Sequence, residues 1–285
     1  MRKVLIFGSS GFLGKKVFNF LKKKKYKIYR DSYIKKKIKK SSNYKFLLKI
    51  IDRIKPDIII NLIALTNVDQ CEVKKKLAQK SNTLFVKNLV TAIKISSKDI
   101  YLVHISTDQV YSGRGNHREN IARPINYYGI SKLKGEKFAS QTFSTVFRTN
   151  FIGKSEKTKK ATLSDWIIFN LKKGKKINTF KNIYFSPLHT STLTKIIEQS
   201  MIKKIRGTFN LGSSTKISKA KFAEILGKYL GYNTNFLNKV NYSRSNLLAK
   251  RPLDMSLKVK KFEKKFEMKL PSVKTEIGKL SKEYK

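Results

Sequence analysis

Short apolar runs alternate with amphipathic stretches through the first half of the chain. Lys3 to Phe7 predicts a strand, and Gly11 to Lys23 a helix whose apolar positions are Phe12, Val17, Phe18 and Leu21. Tyr26 to Arg30 predicts a second strand. Residues 43 to 54 set Phe46, Leu47, Ile50, Ile51 and Ile54 on one helical face, and Pro56 stops that helix. Asp57 to Asn61 is an isoleucine-rich strand expected to be covered on both faces. A long helical pattern then runs to about Lys94, followed by a strand over Ile100 to Ser106. A polar loop with Gly113, Gly115 and Pro124 leads into a helix carrying Tyr128 to Ala139, and Ser144 to Thr149 predicts another strand. Strands rich in β-branched residues alternating with helices predict an α/β fold with a doubly wound parallel sheet. Beyond about residue 150 the alternation loosens. The expected division is a sheet domain over 1–150 and a smaller lobe over 151–285, with some segments of the latter returning to pack on the sheet.

At 285 residues and 40% hydrophobic content the chain can bury a substantial core. No apolar stretch approaches the length that spans a membrane. The opening run Val4 to Phe7 is too short for a signal-peptide core and has no cleavage site after it. A single cysteine, Cys71, forms no internal disulfide and no structural metal site. A cytoplasmic protein is expected. The net charge of +46 comes from 64 Lys and Arg against 18 acids, and only ten of the basic residues are Arg. Lysine runs at Lys22 to Lys25, Lys35 to Lys37 and Lys74 to Lys76 are joined by single lysines almost everywhere else, so no one arm is basic. Arginine, which forks to phosphates and bases, is scarce. The excess therefore reads as a solvated surface that draws in anionic small molecules, with no specific nucleic-acid partner and no membrane partner.

Gly8-Ser9-Ser10-Gly11-Phe12-Leu13-Gly14 follows the first strand directly and opens the first helix. Gly8 permits a sharp turn, Gly11 lets backbone N–H groups approach a pyrophosphate at the positive helix end, and Gly14 permits close packing on the sheet. The spacing is GxxGxxG, and its place between a strand and a helix separates it from a chance glycine cluster. A tight turn with no ligand is the alternative. At the end of the second strand, Arg30 suits a 2′-phosphate whereas Asp31 suits a ribose 2′-hydroxyl. NADP is the expected cofactor, and NAD is possible.

Tyr128-Gly129-Ile130-Ser131-Lys132 places a phenol and an ammonium at i and i+4, on one helical face. A nearby cation is expected to lower the phenol from its ordinary value of ~10. Such a pair alone is frequent on lysine-rich surfaces. Here Ser106-Thr107-Asp108 also lies at the carboxyl end of a strand, where sites of α/β proteins form, and Thr107 would hold a carbonyl oxygen beside Tyr128.

Taken together, these residues resemble the extended short-chain dehydrogenase/reductase superfamily, and within it the dTDP-4-dehydrorhamnose reductases and related nucleotide-sugar 4-ketoreductases. The resemblance covers nearly the full length. It takes in the glycine turn, Lys55-Pro56-Asp57 through Asn61, Thr66-Asn67-Val68-Asp69 with Cys71-Glu72, and Asn82. It continues with Ser106 to Tyr111, Tyr128 to Lys132 with Gly135-Glu136-Lys137, Arg148 to Phe151, Gly207 to Leu211, and Arg251-Pro252-Leu253-Asp254-Met255-Ser256-Leu257. It implies a Rossmann-type cofactor domain with a C-terminal substrate-binding lobe. The activity implied is NAD(P)H-dependent reduction of the 4-keto group of a nucleotide-linked 6-deoxyhexosulose, in deoxysugar synthesis for surface polysaccharide. The implied catalytic residues are Tyr128 as general acid, Lys132 on the nicotinamide ribose and Thr107 on the ketone. Implied cofactor contacts are Gly8, Ser10, Gly11, Phe12, Leu13, Gly14, Arg30, Ala64, Tyr128 and Lys132. Implied substrate contacts are Thr107, Asp108, Phe151 and Arg251, the last a natural partner for a diphosphate. The chain departs from the family in its lysine-rich stretch Ile34 to Asn43, which lacks the usual short third strand, and in Phe151, which replaces a bulkier aromatic residue.

Two other functional classes fit the same fold. A non-catalytic regulatory or binding subunit would need no proton donor, yet Tyr128, Lys132 and Thr107 are all present. A nucleotide-sugar 4-epimerase would hold its NAD tightly, whereas a dehydratase would need a second carboxylate where Gln109 stands. His104, His117 and His189 follow no metal spacing and are expected to be structural, and Cys71 a packed thiol. Trp166, Ile167, Ile168, Phe169 and Leu171 are expected to form one buried helical face. The 69–94 helix is a possible homodimer surface.

Overall fold

The computed structural model describes residues 1–31, 43–155, 161–242 and 247–285. Its first half runs β1 (Arg2–Phe7), α1 (Phe12–Lys22), β2 (Tyr26–Arg30), α2 (Tyr44–Ile54), β3 (Ile58–Asn61), α3 (Val68–Val73), α4 (Lys75–Gln79), α5 (Phe85–Ile95), β4 (Tyr101–Thr107), α6 (Tyr127–Ala139) and β5 (Ser144–Thr149). The stretch Ile34 to Asn43, expected to lack a strand, lies outside the described residues except for Asn43, which caps α2 by accepting from the Phe46 N–H at 2.9 Å.

Six parallel strands form the central sheet in the order β10-β5-β4-β3-β1-β2, where β10 is Gly207–Leu211 of the second half. The α/β reading with a doubly wound parallel sheet therefore holds, and strand alternation explains how both faces are covered. Leu5, Phe7, Ile59, Leu102 and Val146 point to one face, against Leu47, Ile50 and Ile51 of α2 and Phe85, Leu89 and Val90 of α5. Val4, Ile6, Ile58, Ile60, Val103 and Phe147 point to the other, against Leu13, Val17 and Leu21 of α1. Burying each such aliphatic side chain contributes roughly 1.5–3 kcal/mol. Because the chain steps outward from β1 to β2 and then crosses to β3 on the opposite side of β1, the winding reverses between β1 and β3. That reversal opens a crevice at the carboxyl ends of the strands, the usual ligand position in such sheets.

The long helical pattern before Lys94 is not one helix. It is broken into α3, α4, a π-helical turn over Lys80–Leu84, and α5. The π turn re-aims two polar side chains toward α6: Asn82 Nδ2 donates to Ser131 Oγ at 3.0 Å, and Thr83 Oγ1 to the Ser131 carbonyl at 2.8 Å. No proline or glycine within Lys80–Leu84 marks this turn in the sequence, and such turns commonly accompany functional sites.

The second half contributes β6 (Phe151–Ile152), α7 (Leu163–Lys172), β7 (Ile177–Phe180), β8 (Tyr184–Phe185), β9 (Leu188–His189), α8 (Thr190–Lys203), β10, β11 (Ile217–Ser218), α9 (Lys219–Tyr229), β12 (Leu237–Val240), α10 (Lys260–Phe266) and α11 (Val273–Lys282). Helices α8 and α10 return to the central sheet, packing Leu193, Ile196, Phe262 and Phe266 on its α1 face. A separate core joins α7, α9 and α11 through Ile167, Leu171, Phe222, Leu226 and Ile277. The expected buried face of α7 needs correction: Ile167, Ile168 and Leu171 are buried, but Trp166 and Phe169 are 42% and 56% exposed. A helical period of 3.6 cannot bury five of six consecutive positions.

Behind the carboxyl edge of the sheet lies a buried polar network. Arg148 of β5 forks onto Glu136 of α6, with Nε 2.9 Å and Nη2 2.7 Å from Oε2. Ser106 donates to the same carboxylate. Arg148 Nη1 also donates to the Tyr111 hydroxyl at 2.8 Å, which passes the chain on to Asn210 Oδ1 at 2.7 Å. Every member is satisfied, the condition under which a buried ion pair is tolerated. Glu136→Ala should cost about 3–5 kcal/mol by leaving the guanidinium buried without a counter-charge, read as a lowered urea midpoint. A loss below ~1 kcal/mol would show that the network does not hold α6 to the sheet.

Candidate active site

The crevice begins at the glycine turn. Gly8 adopts a positive φ of 83°, and a Cβ there would stand 2.8 Å from the Leu62 carbonyl carbon. Only glycine lets β1 and β3 end this close. Gly14 is buried beneath the turn, where a Cβ would lie 2.1 Å from the Gly8 carbonyl oxygen. It therefore permits packing and offers no surface to a ligand. Helix α1 starts at Gly11 with no side-chain cap and no acid in its first turn, so its N-terminal N–H groups remain directed toward the crevice mouth. Ser10 and Gly11 lie on the accessible side of the turn.

Asp31 turns out to belong to the turn itself. Its carboxylate accepts from Gly8 N–H at 2.7 Å, Ser9 N–H at 3.1 Å and Ser9 Oγ at 2.5 Å. This use of Asp31 replaces the alternative of a free ribose-binding acid. Arg30 is left beside it with its guanidinium stacked 4.1 Å over the Phe18 ring. Its buried Nε has no hydrogen-bond partner among the described residues. The opposite wall is the loop Leu62 to Leu65, which includes Ala64. Asn82 clamps it, accepting from Leu65 N–H at 2.8 Å and donating back to the Leu65 carbonyl at 3.1 Å.

The Tyr–Lys pair sits two strands from the turn. Asn126 caps α6 by accepting from Gly129 N–H at 2.9 Å. Gly129 gives room for the turn after β4, since a Cβ there would lie 2.2 Å from the Gln109 carbonyl oxygen. This close contact places the turn after β4, with Thr107, against the start of α6, which carries Tyr128. Tyr128 is buried, with Cys71 and Ala78 packed around it. Burial raises its pKa above the ordinary value; the Thr107 hydrogen bond opposes the shift, and Asp108 and Cys71 add to it. The expected acidification by Lys132 is therefore corrected. The Lys132 ammonium donates instead to the Ile105 carbonyl at 2.7 Å, and its own pKa is drawn down to about 8 by burial, against the pull of Glu136. The arrangement keeps the phenol protonated, as a proton donor must be.

Asp108 is buried beside the pair. Burial pushes it up to about 6, opposed by an Asn150 Nδ2 hydrogen bond and by the charge of Lys219. Phe151 stacks on Phe12 with ring centroids 6.0 Å apart, joining an expected substrate residue to an expected cofactor residue. Arg251 stands at the rim, its Nη2 2.8 Å from Asp69 Oδ2, and Asp69 also accepts from Ala249 N–H at 3.0 Å. The three histidines lie in protein contacts. His104 bonds Asn61 at 3.1 Å, His117 stacks on Tyr111, and His189 Nδ1 lies 2.7 Å from Ser191 Oγ. One role at the site escaped sequence reasoning. The role of Asp31 as a latch for the turn depends on a contact 22 to 23 residues back in the chain.

The strand order, the glycine turn at the reversal point and the Tyr–Lys pair at the carboxyl edge define a protein of the short-chain dehydrogenase/reductase type. Residues 1–285 match the RmlD substrate binding domain family, and the chain belongs to it. It is 27% identical over 285 residues to the dTDP-4-dehydrorhamnose reductase of Salmonella typhimurium, covering 94% of this chain and 93% of that one. The crystal structure of the Bacillus anthracis dTDP-4-dehydrorhamnose reductase in complex with NADP superposes with a TM-score of 0.88 at 25% identity, covering 98% of this chain and 99% of that one. That of a hypothetical dTDP-4-dehydrorhamnose reductase from Sulfolobus tokodaii gives a TM-score of 0.78 at 32% identity, covering 93% and 94%.

Because burial outweighs every stabilising contact on its phenolate, Tyr128 should remain protonated past pH ~10 in the ligand-free protein. Difference absorbance of wild type against Tyr128→Phe should show no tyrosinate signal below that pH. A signal emerging near neutrality would mean that Lys132, and not burial, controls the phenol.

Proposed function

We propose that the protein is an NADPH-dependent oxidoreductase that reduces the 4-keto group of a dTDP-linked 6-deoxyhexosulose in deoxysugar synthesis. The observation that carries this reading is buried Tyr128, one helical turn from Lys132 and beside the carboxyl end of β4 where Thr107 stands, in a chain whose whole length falls in the RmlD family. The residues present fit a dinucleotide. The uncapped start of α1 and the Gly8–Leu62 close approach suit a pyrophosphate, and the unpartnered Arg30 Nε suits a 2′-phosphate. Ser10, Gly11, Phe12, Leu13 and Ala64 would line its path, and the first 150 residues would supply most of its contacts. NADPH, when bound, supplies the hydride.

The chain's own residues supply the rest. Thr107 donates to the ketone oxygen and sets it against Tyr128. Tyr128, kept protonated by burial, passes its hydroxyl proton to that oxygen as the carbon becomes an alcohol carbon. Lys132 binds the nicotinamide ribose and, one helical turn away, offers positive charge to the phenolate that remains. Asp108, Phe151 and Arg251 hold the sugar nucleotide, mainly from residues 151–285. Retention of this complete donor set favours a reductase over a binding subunit. Among the described residues no helix is long and apolar enough to cross a membrane. Action in the cytoplasm is part of the proposal, as is a homodimer through the 69–94 segment, supported by exposed Val73, Leu77 and Leu84.

Tyr128→Phe should lower kcat by about 10²–10⁴-fold with NADPH affinity nearly unchanged, measured by NADPH oxidation with a panel of nucleotide 4-ketosugars; wild-type rates would remove Tyr128 as the acid. Arg30→Ala should weaken NADPH about tenfold or more while leaving NADH unchanged, because a charge-assisted contact to the 2′-phosphate is lost. Equal weakening of both cofactors would place Arg30 away from that phosphate.

A further inference from the structure

Two buried amides, those of Asn126 and Gln109, meet where α6, the turn after β4 and the segment carrying Arg251 converge. Asn126 Oδ1 is taken by the cap bond from Gly129 N–H. Both hydrogens on its Nδ2 leave the helix. One goes to Gln109 Oε1 at 2.9 Å, 17 residues back in the chain, and the other to the Lys250 carbonyl at 3.1 Å, 124 residues ahead. A helix cap needs only an acceptor, which Ser, Thr or Asp supplies as well as Asn. What sets Asn126 apart is the donor end of its amide, and that end serves the two neighbouring segments.

The first segment holds the ketone side of the site. Gln109 follows Thr107 and Asp108, and its backbone N–H donates to Thr107 Oγ1 at 3.1 Å, which fixes that hydroxyl. Its side-chain Nε2 reaches on to Met255 Sδ. The second segment, 249–257, carries Arg251. On the side of α3 it is held by Asp69, which accepts from Ala249 N–H at 3.0 Å and from Arg251 Nη2 at 2.8 Å. Lys250 lies between those two residues, and its carbonyl faces Asn126. The amide pair therefore grips this segment at two points, at Lys250 through Asn126 and at Met255 through Gln109.

We propose that Asn126 is a positioning residue that sets the distance between the diphosphate contact and the ketone contacts. One amide caps the helix bearing Tyr128, holds the turn bearing Thr107 and draws in the segment bearing Arg251. The inference rests on the nucleotide-sugar reading above, which assigns those contacts, and adds the side chain that spaces them. Asn126 acts through these residues and touches neither ligand. Without its two donated bonds the helix is still capped, but Arg251 loses its fixed place relative to Thr107. Binding must then restore that order, so affinity for the sugar nucleotide falls. NADPH, held mainly at the glycine turn, is spared.

The test compares wild type, Asn126→Ser and Asn126→Ala as full chains, by NADPH oxidation with the 4-ketosugar panel and by calorimetric titration of dTDP into the NADP⁺-saturated protein. Serine keeps the cap and loses both donations, whereas alanine loses the cap as well. Both variants are expected to raise KM for the ketosugar about fivefold or more and to weaken dTDP to a similar extent. The KM for NADPH should stay within about twofold, and Tm should fall further in Asn126→Ala. Asn126→Asp, which also keeps the cap, replaces the serine variant should that one fail to fold. A serine variant with wild-type KM beside an impaired alanine variant would make the cap the sole role of Asn126 and overturn the assignment. Lowered Tm and kcat with an unchanged ketosugar KM, the mark of a merely structural role, would overturn it too. A wild type that binds no dTDP and oxidises no NADPH with the panel would instead overturn the nucleotide-sugar reading, and this inference with it.

Discussion

Where β1 and β3 end, two stretches of backbone approach so closely that no side chain fits between them. A Cβ on Gly8 would be 2.8 Å from the Leu62 carbonyl carbon, and one on Gly14 would be 2.1 Å from the Gly8 carbonyl oxygen. That steric limit aims α1 at the crevice and keeps the Leu62 to Leu65 loop opposite it. The turn is then locked from the side by Asp31, whose three accepted hydrogen bonds pin Gly8 and Ser9. With the turn rigid, the open N–H groups at the start of α1 form a preset anion site, and Arg30 has its guanidinium already stacked on Phe18.

Burial governs the chemistry at the other end of the crevice. Tyr128, Lys132, Asp108 and Lys219 all have their pKa values shifted toward the neutral form, and removal from water is the leading cause for each. Ionisable groups removed from water resist charging more than exposed ones would. The result is a phenol kept as a donor, two amines near 8 and a carboxyl near 6. Glu136 links this end to the interior, because it pairs with Arg148 and also acts on Lys132 one turn before it on α6.

Most of the sheet was legible because a strand covered on both faces must be apolar at every position, as Ile58, Ile59 and Ile60 are. The predicted strand Ser144 to Thr149 matches β5 residue for residue. The π turn at Lys80–Leu84 was not legible, since its neighbours keep helical backbone angles and no proline or glycine within it marks the change. Trp166 and Phe169 were misplaced for a related reason: hydrophobicity identifies what a helix may bury, while the neighbouring helices select which side is covered. The glycine turn, Thr107, Tyr128 and Lys132 were legible because each needs a particular residue type at a fixed spacing along a single element.

The sequence by itself determined the alternation that makes a parallel sheet, the place of the glycine turn and the pairing of a phenol with an amine on one face of α6. These are local properties, set by side-chain type and by the periods of strand and helix. Only the tertiary structure decided that Asp31 serves the turn while Arg30 stays open, and that burial and not Lys132 sets the proton affinity of Tyr128. Each of those depends on which groups distant in the chain exclude water from one another, and desolvation is a property of the packed whole.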